Sequence, residues 1–125
     1  KASSVFCLEP PGHAPTRKSM IDSILSGCIP VFFDSVDNVL KYWPLHLGST
    51  WKWPFYVAID PVGFAEGHID LASHLGLINH SGAARQLQAS IAQNAHRLVY
   101  GLGGNYPGDA TETLLRALHE LVRAD

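Results

Sequence analysis

Two short apolar runs, residues 5–8 and 28–33, are separated by a Pro/Gly loop and a stretch of helical spacing. That order leaves few folds open. The first run reads as a short buried strand. Residues 29–33 are apolar at every position, as a central parallel strand must be when both its faces are covered. Between them runs Pro10-Pro11-Gly12-His13-Ala14-Pro15. Thr16 is then a suitable N-cap, and Met20, Ile21, Ile24 and Leu25 recur at the 3.6-residue period. The spacing predicts a helix over residues 17–26, packed on the sheet through those four side chains and stopped by Gly27. Strand, loop, helix, strand is a βαβ unit. Its loop lies at the carboxyl end of the first strand, where open α/β sheets place their ligands. Pro30 forfeits a ladder donor and so belongs near the start of its strand.

The helix opens with Arg17 and Lys18, which is the wrong charge for a free helix. Its amino end carries roughly half a positive charge, and a cation there costs about 0.3–1 kcal/mol. An anion held between the two cations and the free backbone N–H groups would remove that cost, and a phosphate or pyrophosphate fits. The alternative is that both side chains extend into water, where screening makes the penalty small.

At 125 residues, with 46% hydrophobic and 16% charged residues, the chain is one globular domain's worth, spanning residues 1–125. A net charge of −2 supplies no basic field for nucleic acid. No apolar run approaches the roughly 20 residues needed to cross a bilayer, and no signal peptide opens the chain. Lys1-Ala2-Ser3-Ser4 leads straight into the first strand without an initiator Met, so a piece of a longer protein is expected. Two cysteines make no disulfide framework. With Cys7 near the end of one strand and Cys28 at the start of the next, they are expected as separate buried thiols.

Further along, residues 34–38 read as a loop or short helix start, residues 55–59 as a strand ended by Asp60-Pro61, and residues 67–77 as a helix. A helix beginning at Ser81 or Gly82 runs to Tyr100, with Gly101 as its C′ residue. Asp109 and Glu112 have capping-box spacing ahead of a last helix carrying Leu114, Leu115, Leu118, Leu121 and Val122. The expected fold class is α/β: a Rossmann-like parallel sheet flanked by helices.

Three blocks carry a resemblance: Ser4-Val-Phe-Cys-Leu-Glu-Pro-Pro-Gly12, Pro15-Thr-Arg-Lys-Ser-Met-Ile-Asp-Ser-Ile24 and Gly27-Cys-Ile-Pro-Val-Phe-Phe33. Together they resemble the exostosin-like glycosyltransferases, the plant cell-wall members most closely, and weaker similarity reaches the last helix. The resemblance implies the carboxy-terminal, donor-binding half of a two-domain GT-B enzyme, its amino-terminal domain lying outside this chain. It implies inverting transfer of a sugar from a nucleotide diphosphate, usually UDP, to a polysaccharide or glycoprotein glycan. It further implies a type II membrane protein on the lumenal side of the Golgi, needing no metal or other cofactor.

Carried over position by position, the resemblance puts Gly12 where the backbone must approach the diphosphate. Arg17 and Lys18 match the basic pair that would clamp phosphate oxygens. Thr16 and Ser19 offer hydroxyls and N–H groups at the helix start. Asp22 matches an acid that would accept from ribose or sugar hydroxyls, though an i,i+4 ion pair with Lys18 accounts for it equally. Asp37, past the second strand, is a further sugar contact. His13 stands where many relatives carry an acid, and it would bond phosphate only when protonated. Lys18 replaces a frequent second arginine and loses its planar fork.

Other features point elsewhere. His68, His74 and His80 recur every six residues, which suits no helical zinc site, so no metal is expected. The aromatic stretch from Tyr42 to Tyr56 serves either stacking on a ligand or packing. Asn79-His80-Ser81 is a glycosylation sequon, meaningful only in the secretory pathway. Inverting transfer needs a general base, which enzymes of this type draw from the other domain, so no catalytic residue is assigned. A non-catalytic scaffold or partner subunit of a glycan synthase is the competing reading. Loss of UDP binding on Arg17→Ala would separate the two.

Overall fold

The computed structural model describes residues 4–11, 18–39, 41, 54–99 and 107–124. Strands β1 (Phe6–Glu9), β2 (Ile29–Phe32) and β3 (Val57–Ala58) form a parallel sheet in the order β1-β2-β3. Helix α1 (Lys18–Leu25) crosses from β1 to β2, and α2 (Val36–Val39) follows β2. After β3 come α3 (Pro61–Ala65), α4 (Leu71–His80) and α5 (Ala83–Asn94). A 3₁₀ turn (Ala95–Leu98) and α6 (Ala110–Ala124) complete the described elements. The expected α/β class and the opening βαβ unit are both present.

β2 is buried at all four positions, so both faces of the central strand are covered. Pro30 sits second in it. Backbone groups alternate sides along a strand, and Phe32 accepts from Ile59 N, so Pro30 also faces β3. Pairing with β3 begins only at Val31, and the missing donor falls just ahead of the ladder. Ile24, Ile29, Val31, Phe55, Ile59 and Ile91 anchor one core cluster.

Helix α1 ends in a Schellman motif: Gly27 N donates to Ile24 O, Cys28 N to Ser23 O, and Gly27 has φ of 76°. Its inward face differs from expectation in one respect. Met20 and Ile24 are buried, but Leu25 is exposed and Ser23 is fully buried in its place.

Cys7 and Cys28, expected as separate thiols, form a disulfide with Cα atoms 5.8 Å apart. The expectation fails on register. β1 runs on to Glu9, and Phe6 lies opposite Ile29, so Cys7 is near the amino end of its strand. Cys28, coming off the Gly27 turn, reaches that same end, and Ile29 N donates to Val5 O. Closing a separation of 21 residues is worth about 3 kcal/mol in the chain-entropy account.

Other boundaries shift because capping side chains decide them. Asp60 does more than end β3: its carboxylate accepts from Val62 N and Gly63 N and starts α3, with Pro61 at N1. α4 begins at Leu71, not at residue 67, since Asp70 caps it through Ser73 N, and it runs on to His80. Gly82, at φ 85°, precedes α5, which tightens into the 3₁₀ turn at Ala95. Tyr100 and Gly101 lie outside the described residues. At α6, Glu112 N donates to Asp109 Oδ1, and Glu112 reaches back to Gly108 N, one residue before the usual capping-box partner. α6 packs against the 3₁₀ turn and leaves Leu115, Leu118, Leu121 and Val122 exposed.

Candidate functional site

The carboxyl ends of β1 and β2 point to one edge of the sheet, because the strands are parallel neighbours. α1 starts above that edge and α2 follows it, so Lys18, Ser19, Asp22 and Asp37 belong to the same end of the molecule. Gly12, His13, Thr16 and Arg17 lie outside the described residues. The site's described part is therefore the opening of α1 and the residues beneath it.

No acidic residue of α1 itself stands in its first turn; the carboxylate that meets that turn is Glu9 of β1, whose Oε2 accepts from the Ser19 hydroxyl. Lys18 Nζ lies 2.9 Å from Asp22 Oδ2, with side chains 88% and 44% exposed. The ion pair left open by the sequence is thus formed. An exposed i,i+4 pair is worth only a few tenths of a kcal/mol, so a doubly charged phosphate competes easily for the ammonium. Asp22 on its own is not committed to a ligand.

Ser19 is engaged. Its hydroxyl donates to Glu9 Oε2 at 2.6 Å, and that of Ser23 approaches Glu9 Oε1 at 2.5 Å. Ser23 shares its proton with Ser19 O at 2.9 Å. Glu9 is 7% exposed, the last residue of β1. The hydroxyl of Ser19 is thus turned to Glu9 and away from a ligand. Glu9 was read from the sequence only as one position of a motif. The signal was there: an acid closing an apolar strand, with Ser19 and Ser23 four residues apart on the next helix.

Asp37 is exposed in the first turn of α2, where an acid suits the helix dipole. Two further carboxylates at this edge are engaged locally: Asp34 Oδ1 accepts from the Ser35 backbone N and the Asn38 side-chain Nδ2, and Asp60 caps α3. Of the aromatic stretch, residues 42–53 lie outside the described residues. Phe55 is buried and Tyr56 partly so, their rings 5.9–6.5 Å from that of Phe32, which is packing. Burial raises the Tyr56 phenol above its ordinary pKa. A separate cleft of about 140 Å³ between the 3₁₀ turn and α6 is lined by His96, Arg97 and Arg116, among others, and by none of the residues above.

The family model for the exostosin GT47 domain matches residues 2–64. Three Arabidopsis thaliana proteins illustrate the relatives. "Probable xyloglucan galactosyltransferase GT13" is 44% identical over 99 residues, covering 78% of this chain and 20% of that protein. "Probable xyloglucan galactosyltransferase GT12" is 33% identical over 113 residues, covering 90% and 21%. "Xyloglucan-specific galacturonosyltransferase 1" is 49% identical over 51 residues, covering 41% and 7%. The chain thus spans about a fifth of the length of the first two. No solved structure matches it.

Proposed function

This chain belongs to the exostosin GT47 family, and from that premise we propose that it is the donor-binding part of a glycosyltransferase. The observation that carries the reading is the opening of α1. It is a helix start at the carboxyl end of a parallel strand, with Lys18 in place and no acid of its own in its first turn. Such an end seats an anion through backbone N–H groups and dipole together.

The anion is the diphosphate of a UDP-sugar. Arg17 and Lys18 clamp its oxygens, Gly12 lets the backbone come close, and Thr16, Ser19 and His13 contribute N–H groups or side chains around it. The sugar faces Asp22 and Asp37. In an inverting transfer the acceptor hydroxyl attacks the anomeric carbon from the face opposite UDP, the bond from that carbon to the diphosphate oxygen breaks, and UDP leaves with the electron pair. The two cations stabilise the charge that gathers on the leaving diphosphate, the role a metal fills elsewhere, so no cofactor is required. The general base comes from an amino-terminal GT-B domain outside this chain.

The names of the relatives direct the acceptor toward xyloglucan and the sugar toward galactose, with galacturonate as competitor. The parent is a type II protein of the Golgi membrane with this part in the lumen. The Cys7–Cys28 disulfide suits an oxidising lumen, and among the described residues no helix is long and apolar enough to cross a membrane.

Calorimetric titration of UDP into the complete protein tests the reading. Arg17→Ala and Lys18→Ala should each weaken binding roughly 10- to 100-fold, as loss of a charge-assisted hydrogen bond does. Equal binding by all three proteins, or none by the unsubstituted one, refutes it and favours a scaffold.

A further inference from the structure

Glu9 is an acid at the end of an apolar strand, 7% exposed, directly below the helix that opens the candidate site. Its two carboxylate oxygens are held by two hydroxyls on successive turns of α1, Ser19 at 2.6 Å and Ser23 at 2.5 Å. Two contacts a turn apart fix both the height of the helix over the strand end and its rotation about its own axis. A single contact would fix only one of these. Ser19 adjoins Lys18, so the same two bonds fix the stretch of backbone from which the Lys18 side chain leaves the helix.

We propose that Glu9 is a positioning residue for donor binding: it locks the first two turns of α1 to β1 so that the basic start of the helix faces the diphosphate. The inference rests on the donor-site reading above. Burying a carboxylate is costly unless its oxygens are bonded, and here the hydroxyls of the site helix supply bonds. The same arrangement withdraws the Ser19 hydroxyl from the ligand.

The test is donor and acceptor KM, with kcat, in the complete protein. Glu9→Ala should raise donor KM roughly tenfold, since small misplacements of a binding group cost that much or more, and leave acceptor KM within about twofold. Glu9→Gln should stay within roughly threefold of the unsubstituted protein, because its amide oxygen still accepts and its NH2 can face a hydroxyl oxygen. Ser19→Ala and Ser23→Ala should each raise donor KM by less than Glu9→Ala, and these two carry the test if Glu9→Ala fails to fold. A lowered melting temperature with unchanged donor KM in Glu9→Ala, or in both serine variants, reduces Glu9 to a structural role and overturns the proposal. If Arg17→Ala and Lys18→Ala also leave donor KM unchanged, the donor-site reading itself has failed.

A different observation carries a second inference. Asn79 stands exposed in the last turn of α4, and its side chain has no hydrogen-bond partner among the described residues. Ser81, two residues on, is exposed where the chain turns through Gly82 at φ 85°. The structure thus assigns Asn79 as an N-glycan attachment site. The acceptor motif is at an open corner, and the disulfide fits passage through an oxidising compartment. The Asn79 amide nitrogen bonds the anomeric carbon of an oligosaccharide carried on a lipid diphosphate. That carbon's bond to the diphosphate oxygen breaks, the lipid diphosphate leaves with the electron pair, and the amide loses one proton.

In a eukaryotic secretory host, Asn79→Gln and Ser81→Ala should each remove one glycan's increment of mass that an N-glycan-cleaving enzyme also removes, and Ser81→Thr should keep it. Identical mass in all four proteins overturns the assignment. Protease protection of the chain in sealed membranes reports its lumenal placement separately, so a missing glycan and a wrong compartment are told apart.

Discussion

Lys18 Nζ and Asp22 Oδ2 meet at 2.9 Å across one turn of α1, in a pair that stands largely in solvent. Asp22→Asn removes the ion pair and leaves the helix. Stability should change by less than about 0.5 kcal/mol, the size of such exposed pairs. UDP affinity should hold or rise, since the ammonium no longer divides its charge. Sugar-nucleotide KM decides whether Asp22 touches the ligand: a rise with unchanged UDP affinity places its carboxylate on the sugar. Denaturant unfolding and calorimetry give both readings.

The Cys7–Cys28 disulfide lies at the amino end of the strands, while the candidate site lies at their carboxyl end. The double substitution Cys7→Ser, Cys28→Ser should lose about 3 kcal/mol of stability, the value for a loop of this length. Donor KM should be unchanged in whatever fraction stays folded. Urea unfolding with and without reductant supplies the stability figure, and reductant should have no effect on the double variant.

Ile24 is fully buried between α1 and the sheet. Ile24→Ala should destabilise the fold by about 2–5 kcal/mol through lost burial and the cavity left behind. Because the Glu9 bonds fix α1 independently, donor KM in the folded fraction should rise less than in Glu9→Ala. Thermal unfolding and steady-state kinetics separate the two effects.

Asp70 is held below the ordinary carboxylate pKa, first by the Ser73 hydroxyl and then by backbone N–H groups at the start of α4. A carboxyl whose folded pKa is lowered stabilises the fold above its unfolded pKa, and the contribution is lost as pH falls through the folded one. α4 should therefore fray only in acid below the usual carboxylate range. The Ser73 amide resonance, followed by NMR through an acid titration, should shift there and not near neutrality. In Asp70→Asn the cap persists and that acid-dependent shift should vanish.

The opening βαβ unit was legible because three signals agreed: two apolar runs, helical spacing between them and Gly27 at the stop. What failed was relational. The register that joins Cys7 to Cys28 depends on where β1 ends, and a shift of one or two residues decides between a crosslink and two thiols. The start of α4 was missed because Asp70, not the apolar period, sets it. Ser23 was passed over as an ordinary polar residue on the helix, since its value depends on Glu9, ten residues and one loop earlier than Ser19. Of the site itself, the loop and Arg17 lie outside the described residues, and Lys18 and Asp22 form the ion pair that the sequence had left open. The sequence could not say that Ser19 already had a partner.

A crosslink at one pole of the strands and, in the proposed function, recognition at the other divide the work of the domain. On that reading, changes of side chain or length between β1 and α1 alter what is bound while the crosslink at the opposite pole still ties β1 to the start of β2. A single scaffold can then serve enzymes that handle different sugars, as galactosyl- and galacturonosyltransferases among the relatives do by name.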